Sequence, residues 1–446
     1  MPLPVMGSME MEKYKGIVET MREDKEDKEM GLEESKLSNH QNTKMKNIRK
    51  RRRRKYSFIP RFGCMKLLHD DVSVAEKPDV EGSFNVEAGC NGKDNQLLPT
   101  HLIVMVNGII GSPQNWRYAA KHFVKAYSSD IMVHCSESNS SMLTFDGIDV
   151  MGKRLADEVI SVVDRHPTLH KISFIGHSLG GLVARYAIAV LYQQDLMRES
   201  SSEENGECGE EALNKPFVEQ KRRAKIAGLE PVNFITSATP HLGSRGHKQV
   251  PLFCGFHTME KAAIRASWLL GRTGKHLFLS DHDDGKPPLL LQMTLDSDDL
   301  KFISALESFK RRVAYANARF DRILVYLTVS SFYVDLVGWS SSSLRCRNEL
   351  PKRRNLVKHA KYPHVINEDT SETVNPQEAS TARGRSSEIE EAMLRGLRSV
   401  RWERVDVNFG GSIQRLLAHN TIQVKTYCIN SHGADVIQHM IDNFQL

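Results

Sequence analysis

The segment Gly176-His-Ser-Leu-Gly-Gly181 constrains the fold more than any other part of the sequence. An apolar run at residues 171–175 precedes it and predicts a strand, and a helix-period segment at residues 182–192 follows it. A serine with glycines two positions away on either side is typical of a sharp strand-to-helix turn, since residues without side chains let both elements approach closely. We therefore expect Ser178 to be a nucleophile above the carboxyl ends of the strands. The structural alternative is a glycine-rich helix start with an incidental serine.

Short apolar runs alternate with helix-period segments along the rest of the chain after residue 99, which is typical of parallel strands joined by crossover helices. Strands are predicted at residues 102–106, 131–134, 171–175, 232–236, 312–316 and 402–409. Helices are predicted at residues 116–127, 151–166, 182–192 and 434–444. The pattern predicts an α/β class with a mostly parallel central sheet. The irregular segment 243–300, with apolar Trp268, Leu269 and Leu270, predicts a cap or lid over the sheet edge.

The domain organisation follows from where this pattern begins. The chain has 446 residues, 40% of them hydrophobic, which is enough for one large core. Residues 1–98 show no sustained period and predict a disordered tail, whereas residues 99–446 predict one domain. Polar composition further predicts mobile loops near residues 198–225 and 368–390.

A basic cluster, Arg49-Lys-Arg-Arg-Arg-Arg-Lys55, lies within the predicted tail. It accounts for much of the small net charge of +6, so no nucleic-acid partner is expected. A solvated basic run is the simplest interpretation. A nuclear-import signal and peripheral contact with an anionic membrane are the functional alternatives, and the neighbouring aromatic residues Tyr56 and Phe58 favour the membrane.

Cysteine usage and hydropathy indicate the compartment. The seven cysteines form no CxxC pair, which argues against both a disulfide framework and a zinc site. No stretch approaches the roughly 20 apolar residues of a membrane span, and the N-terminus lacks a signal-peptide pattern. We therefore expect a cytoplasmic protein that is not secreted, with membrane association or nuclear import as alternatives.

A nucleophilic serine needs donors for the oxyanion that develops on its substrate. The amide of Leu179, at the start of the predicted helix, is one candidate. The second donor is expected in the loop after an earlier strand, where Asn107-Gly-Ile-Ile-Gly111 follows residues 102–106, and we select Ile109 N–H. The alternative for this loop is an ordinary Asn-Gly turn.

The serine also needs a base and an acid to orient it, which in this topology follow in the order Ser, Asp, His at the ends of later strands. His419 lies in a loop after the strand at residues 402–409 and is the best-placed base, with His432 and His439 as rivals. Asp321 follows the strand at residues 312–316 and is the candidate acid.

Several segments together resemble the putative serine esterase family of plants, within the lipase-like α/β-hydrolases. The motifs that carry the resemblance are Val104-Met-Val-Asn-Gly108, Ser138-Asn-Ser-Ser141, Asp146-Gly-Ile-Asp-Val-Met-Gly152, Gly176-His-Ser-Leu-Gly-Gly-Leu-Val-Ala-Arg-Tyr186, Ala238-Thr-Pro-His-Leu-Gly-Ser-Arg-Gly246, Gly285-Lys-Pro-Pro288 and Leu417-Ala-His-Asn-Thr-Ile-Gln-Val-Lys425. The resemblance implies an α/β-hydrolase fold, a carboxylic-ester or lipid substrate, Ser178 as nucleophile and His419 as base. It implies no metal and no organic cofactor.

The same resemblance bears on a second aspartate, Asp335. In this family the acid runs almost at once into a Val-Gly-Trp segment, whereas here residues 322–334 intervene before Val337-Gly-Trp339. Asp321 then matches the family acid. Because the extra segment is largely apolar, we expect it either to add an edge strand or to pack under the cap.

These features predict ester hydrolysis through an acyl-enzyme, with lipid or acyl esters as substrates. The alternative from another functional class is a hydrolase-fold lipid-binding or scaffold protein whose triad is weakened by the extra segment. Loss of the acid alone lowers turnover by about ten-thousand-fold while leaving a pocket intact.

Overall fold

The computed structural model describes residues 74–78, 84–88, 98–204, 224–244, 270–281, 286–321, 323–327, 330–334, 337–352, 356–373 and 386–446. Its strands are β1 (Val74–Pro78), β2 (Phe84–Ala88), β3 (His101–Val106), β4 (Ile131–Cys135), β5 (Lys171–His177), β6 (Glu230–Ser237), β7 (Arg311–Asn317), β8 (Ile323–Leu327), β9 (Ser330–Val334), β10 (Val365–Thr370) and β11 (Glu403–Val407). Its helices are α1 (Arg117–Ala126), α2 (Ile148–Arg165), α3 (Leu179–Glu204), α4 (Gly271–Leu277), α5 (Leu289–Gln292), α6 (Phe302–Glu307), α7 (Trp339–Ser343), α8 (Ser386–Leu397), α9 (Ala418–Thr421), α10 (Tyr427–Asn430) and α11 (Ala434–Asp442).

Nine of the strands form one sheet in the order β1-β2-β4-β3-β5-β6-β7-β11-β10. The neighbouring pairs from β4 through β11 are parallel, whereas β1, β2 and β10 are joined by antiparallel pairs. Parallel neighbours require crossover connections, which α2 and α3 supply around the central strand β5. The predicted α/β-hydrolase fold, with a mostly parallel sheet and flanking helices, is confirmed.

Both faces of the central sheet are buried, as parallel sheets require. Along β3, Leu102 and Val104 enter the apolar cluster under α2 and α3, and Ile103 and Met105 enter the cluster under α1 and α11. This alternation follows from the two-residue period of a strand. The carboxyl ends of the parallel strands are therefore held rigidly at one edge, where the loops meet.

The hairpin of β1 and β2 lies within residues 1–98, which the sequence predicted as a tail. Residues 85 and 86 of β2 pair with residues 134 and 133 of β4, so the sheet begins before residue 98. Short alternating runs of this kind carry a weak periodic signal, which explains why the pattern was not recognised. The remaining residues of the predicted tail, including Arg49–Lys55, lie outside the described residues, and their assignment stays a prediction.

The two predicted polar loops also differ from the structure at their ends. Helix α3 continues from residue 192 to Glu204, and the predicted loop at residues 368–390 overlaps the end of β10 and the start of α8. Polar composition favoured loops, but Ser, Glu and Arg are also acceptable on exposed helix positions. Residues 205–223 and 374–385 lie outside the described part of the chain.

The extra segment after Asp321 forms an antiparallel hairpin in which β8 pairs with β9, from Ile323 opposite Val334 to Leu327 opposite Ser330. These strands make a separate two-stranded sheet. Of the two alternatives expected for this segment, an added edge strand in the main sheet is therefore wrong, whereas packing under the cap stays a prediction. Residues 245–269, with Trp268 and Leu269 of the predicted cap, lie outside the described residues. Of the three apolar residues named for the cap, Leu270 alone is described, and it packs against the core.

Among the helices described, none combines the length and apolarity that a bilayer-spanning helix needs.

Candidate active site

Ser178 occupies the single position between the end of β5 and the start of α3. Its φ angle is 55°, in the left-handed region that residues with side chains avoid. The Ser178 amide donates to the carbonyl of Ser237 on the neighbouring strand, over 2.8 Å. A strained backbone held by such contacts is typical of a functional turn and matches the prediction from the glycine-flanked motif.

The glycines of the motif are required by close backbone contacts. A Cβ on Gly176 would lie 2.6 Å from the Cα of Gly181. A Cβ on Gly180 would lie 2.3 Å from the carbonyl oxygen of Val106. Any side chain at either position would therefore push α3 away from the sheet and displace the serine.

His419 lies on the short helix α9 and bridges the serine and the aspartate. Its Nε2 is 2.9 Å from Ser178 Oγ, and its Nδ1 is 2.7 Å from Asp321 Oδ1. With Nδ1–H donating to the Asp321 carboxylate, Nε2 is left to accept a hydrogen bond from the Ser178 hydroxyl. The three side chains come from separate parts of the chain and are all buried. The structure thus brings together the three residues selected from the sequence.

Asp321 follows the end of β7 and is fixed by a second contact that the sequence did not indicate. Asn317 Nδ2 donates to Asp321 Oδ1 over 3.2 Å. Phe320, directly before Asp321, has φ 59°, which turns the chain back towards the site. The available signal was an amide residue at the last position of a strand that leads to a candidate acid.

The loop at residues 107–111 lies directly beside the serine. A Cβ on Gly108 would be 3.0 Å from the Ser178 Cβ, so the glycine permits this approach. Asn107 Nδ2 donates to the carbonyl oxygens of Gly108 and Asn139, over 3.2 and 3.1 Å, and holds the loop. Ile109 follows this close contact, and Leu179 is the first residue of α3, so its amide lacks an intrahelical acceptor. The two predicted oxyanion donors therefore lie on segments that flank Ser178.

The partly buried carboxylate of Glu158 anchors the loop that supports Asn107. Glu158 accepts hydrogen bonds from His134 Nε2, the Glu137 amide and the Ser138 hydroxyl. Burial alone would raise the pKa of Glu158, but these hydrogen bonds outweigh it and lower the pKa to about 2. The carboxylate is therefore ionised at neutral pH and holds residues 136–139 in place.

The rival histidines have other partners. His439 is buried and contacts the Tyr315 hydroxyl through Nδ1 at 2.8 Å and Glu368 through Nε2 at 3.3 Å. The His432 ring packs beside His364, with ring centroids 5.5 Å apart. Neither contact involves Ser178. The rival acid Asp335 lies outside the described residues.

A second histidine, His177, was not selected from the sequence. It directly precedes Ser178, and its Nε2 is 2.7 Å from the backbone carbonyl oxygen of His419. Burial, followed by the nearby charge of His419, holds the pKa of His177 well below its usual range. The ring is therefore neutral and linked to the segment that carries His419.

Comparison with curated proteins gives distant relatives that are named as lipases. The chain is 29% identical over 278 residues to "Putative lipase ROG1" of Saccharomyces cerevisiae, covering 60% of this chain and 33% of that protein. It is 25% identical over 250 residues to "Putative lipase C4A8.10" of Schizosaccharomyces pombe, covering 54% and 27%. The chain thus spans about a third of the length of these relatives. Both are yeast proteins, and the plant origin expected from the resemblance is not borne out.

Solved structures similar to this chain include a lipase and a carboxyl esterase, both of low identity. The mature lipase BlEst2 of Bacillus licheniformis has a TM-score of 0.30 and 15% identity, covering 53% of this chain and 72% of that one. Carboxyl esterase 2 of Tuber melanosporum has a TM-score of 0.28 and 13% identity, covering 55% and 66%. The fold assignment itself rests on the strand order.

The family comparison matches residues 97–335, more than half of the chain, to the family described as "Putative serine esterase (DUF676)". The matched range contains Ser178 and Asp321, and His419 lies beyond it. By this match, the chain belongs to the putative serine esterase family.

Proposed function

We propose that this protein hydrolyses carboxylic esters, with Ser178 as nucleophile, His419 as general base and Asp321 as the acid that orients the imidazole. The observation that carries the proposal is the continuous contact from Ser178 Oγ through His419 to Asp321, with distances of 2.9 and 2.7 Å. A buried serine hydroxyl becomes nucleophilic only when a positioned base accepts its proton. This contact supplies such a base.

In the first half of the reaction, Ser178 Oγ attacks the ester carbonyl carbon as His419 Nε2 takes the hydroxyl proton. The carbonyl oxygen becomes an oxyanion. His419 then gives the proton to the alkoxide leaving group, the carbon–oxygen bond to it breaks, and the alcohol departs. The acyl group remains esterified to Ser178.

In the second half, water replaces the alcohol. His419 Nε2 removes a proton from water, and the resulting hydroxide adds to the acyl carbon. Collapse of the oxyanion breaks the bond to Ser178 Oγ, which regains the proton from His419. The carboxylic acid departs, and the enzyme returns to its starting state.

The oxyanion would be held by the amides of Leu179 and Ile109. The close approach of Gly108 to Ser178 supports this assignment, because it brings the loop before Ile109 next to the nucleophile. One preorganised donor of this kind lowers the barrier by about 3 kcal/mol. Its placement therefore affects turnover strongly.

We further propose acyl or lipid esters as the substrate class. Large apolar side chains are exposed on two segments. Ile110 lies in the loop beside Ser178, and Met142 and Leu143 follow Ser141, whose amide donates to the Gly111 carbonyl of that loop. Ile413 and Leu416 lie in the segment that leads to His419. Ile110 follows the proposed donor Ile109, and Leu416 lies three residues before His419. Exposed apolar side chains at a site entrance favour substrates with acyl chains. Membrane contact through Arg49–Lys55 stays a prediction.

Labelling with a fluorophosphonate tests the reaction, because this probe reacts covalently with an activated serine. We expect labelling of the full chain and none of Ser178→Ala. Ser237→Ala is the matched control, since Ser237 is also buried beside the turn and its hydroxyl has no hydrogen-bond partner among the described residues. Absence of labelling, or labelling that persists in Ser178→Ala, contradicts the proposal. Absence of labelling would favour the lipid-binding alternative. That alternative assumes a weakened acid, an assumption that the 2.7 Å contact of Asp321 with His419 does not support.

A further inference from the structure

His177 lies at the junction of three segments of the site. It is the last residue of β5, adjacent to Ser178, and only 4% exposed. A Cβ built on Gly108 would lie 3.3 Å from its Nδ1, so the ring also faces the loop that precedes Ile109. Its Nε2 contacts the carbonyl oxygen of His419 over 2.7 Å. The His177 side chain therefore fills the space between Ser178, the loop at residues 107–111 and His419.

The contact with His419 fixes the tautomer of His177. A carbonyl oxygen only accepts, so Nε2 must carry the proton and donate it. Burial keeps the ring neutral, since its pKa lies well below the usual range, and Nδ1 is therefore unprotonated. The two imidazole rings have centroids 4.7 Å apart. Neutrality matters at this distance, because a charged His177 would oppose the imidazolium that forms on His419 during catalysis.

The hydrogen bond closes a ring of contacts around the reacting atoms. The backbone carbonyl of His419 is bonded to the residue before the nucleophile, and the side chain of His419 is bonded to the nucleophile itself. Helix α9, which carries His419, has four residues and is too short to be stable without tertiary contacts. The position of the base relative to Ser178 must therefore be set by such contacts.

We propose that His177 is a positioning residue that holds the backbone of His419 in register with Ser178, through Nε2–H donation to the His419 carbonyl. The inference rests on the proposed function, since it assigns a role within the same reaction. Asp321 restrains the imidazole from one side, and His177 restrains the backbone from the other. Misplacement of a catalytic group by about 1 Å can lower the rate on the order of 100-fold.

A pair of substitutions tests the hydrogen bond. His177→Leu removes the donor but keeps a buried side chain of similar size, whereas His177→Gln keeps an amide N–H close to the position of Nε2. With p-nitrophenyl butyrate as substrate, we expect kcat to fall on the order of 100-fold in His177→Leu, with KM little changed. His177→Gln should restore most of kcat. Equal kcat values in both variants, whether high or low, overturn the inference.

A matched control separates positioning from general loss of a buried histidine. His101 is also buried, and its Nε2 contacts Ser173 at 2.8 Å, but it lies at the start of β3, away from the carboxyl ends of the strands. His101→Leu should lower the melting temperature without lowering kcat per labelled site. Fluorophosphonate titration gives the number of intact sites, so a partly unfolded variant changes the titre and not kcat per site. If His177→Leu does not fold, His177→Asn replaces it, because its shorter amide cannot reach the His419 carbonyl.

Failure of this inference is distinguishable from failure of the proposed function. If the unmodified chain is not labelled by fluorophosphonate, the proposed ester hydrolysis is wrong, and the positioning role of His177 in that reaction is wrong with it. If the chain is labelled and His177→Leu reacts as fast, only the inference falls. Nitrogen-15 NMR of labelled histidine reads the contact itself, and we expect a neutral, Nε2-protonated His177. An Nδ1-protonated ring would contradict the inference whatever the activity.

Discussion

The turn at residues 175–181 and the acid segment at residues 317–339 both place a catalytic candidate at the end of a strand, but they do so by different physical means. In the turn, the position of Ser178 follows from local sterics, because Gly176 and Gly180 allow backbone contacts that a side chain would prevent. In the acid segment, Asp321 is held by side-chain contacts with His419 and Asn317. An independent hairpin follows it directly.

This difference determines how each region tolerates change. A position set by backbone packing is sensitive to any added atom, even far from the chemistry. A position set by two hydrogen bonds is sensitive to the identity of its partners and insensitive to what is inserted after it. The substitutions below test this contrast, from the largest expected effect to the smallest.

Replacing the acid should give the largest effect. Asp321→Asn keeps the size of the side chain but favours the wrong tautomer of His419, so kcat should fall by about ten-thousand-fold. Turnover of p-nitrophenyl butyrate measures this. Asp335→Asn is the matched control and should keep full activity. An inactive Asp335→Asn beside an active Asp321→Asn would overturn the assignment of the acid.

A methyl group in the turn should mainly lower stability. In Gly180→Ala the new Cβ would lie 2.3 Å from the Val106 carbonyl oxygen, so helix and strand must separate. We expect a loss of about 3 kcal/mol in the free energy of unfolding and a large loss of labelling. Gly411→Ala is the control, since a Cβ there meets nothing within 4 Å. Urea denaturation compares the two, and equal stabilities would contradict the steric account.

Acidification should lower the free energy of unfolding through His177, the residue before Ser178. Its pKa is lowered in the folded state, so below the ordinary value of 6.5 the unfolded chain binds a proton that the folded chain does not. The stability that depends on a neutral His177 is fully present above pH 6.5 and is lost as the pH falls towards the lowered pKa. His177→Gln should therefore lose stability more slowly between pH 6 and 5, by about 1.4 kcal/mol per pH unit. Urea denaturation at pH 7, 6 and 5 measures both slopes, and parallel slopes would argue against a buried neutral ring.

Deleting residues 322–334 should have the smallest effect. The hairpin forms a sheet of its own, so its removal breaks no strand pair of the nine-stranded sheet. We expect a change below about 1 kcal/mol in stability, or about 3 °C in melting temperature, and labelling within tenfold of the full chain. Loss of labelling with an unchanged melting temperature would mean that the hairpin helps to hold Asp321, and the contrast between the two regions would weaken.

The parts of the fold and site that were predictable from the sequence share a local physical origin. The strand-turn-helix around Ser178 was predictable because glycine spacing and apolar period act over about 20 residues. The pairing of Asp321 with His419 needed the order of strands and the family resemblance, because it joins residues 98 positions apart. Both residues were selected, yet their contact was not deducible from spacing.

The features that sequence reasoning missed depend on tertiary contacts. His177 occupies the variable position of the G-x-S-x-G pattern, and its bond to the His419 carbonyl joins residues 242 positions apart. Asn317 reaches Asp321 only because the chain turns back at Phe320. The hairpin β1–β2 lacks a strong apolar period, and its pairing with β4 is a property of the assembled sheet. Periodicity and motifs carry no information about such pairings.

The hairpin β1–β2 has a consequence for where a functional fragment of this protein can begin. The family match starts at residue 97, but β2 covers β4, whose five residues Ile131–Cys135 are all buried. A fragment that starts at residue 97 would expose the edge of an apolar strand where β2 pairs with it, at Val133 and His134. Uncovered strands of this kind pair with strands of other molecules and lead to aggregation. Recombinant fragments that begin before residue 74 should therefore stay monodisperse where the shorter fragment precipitates.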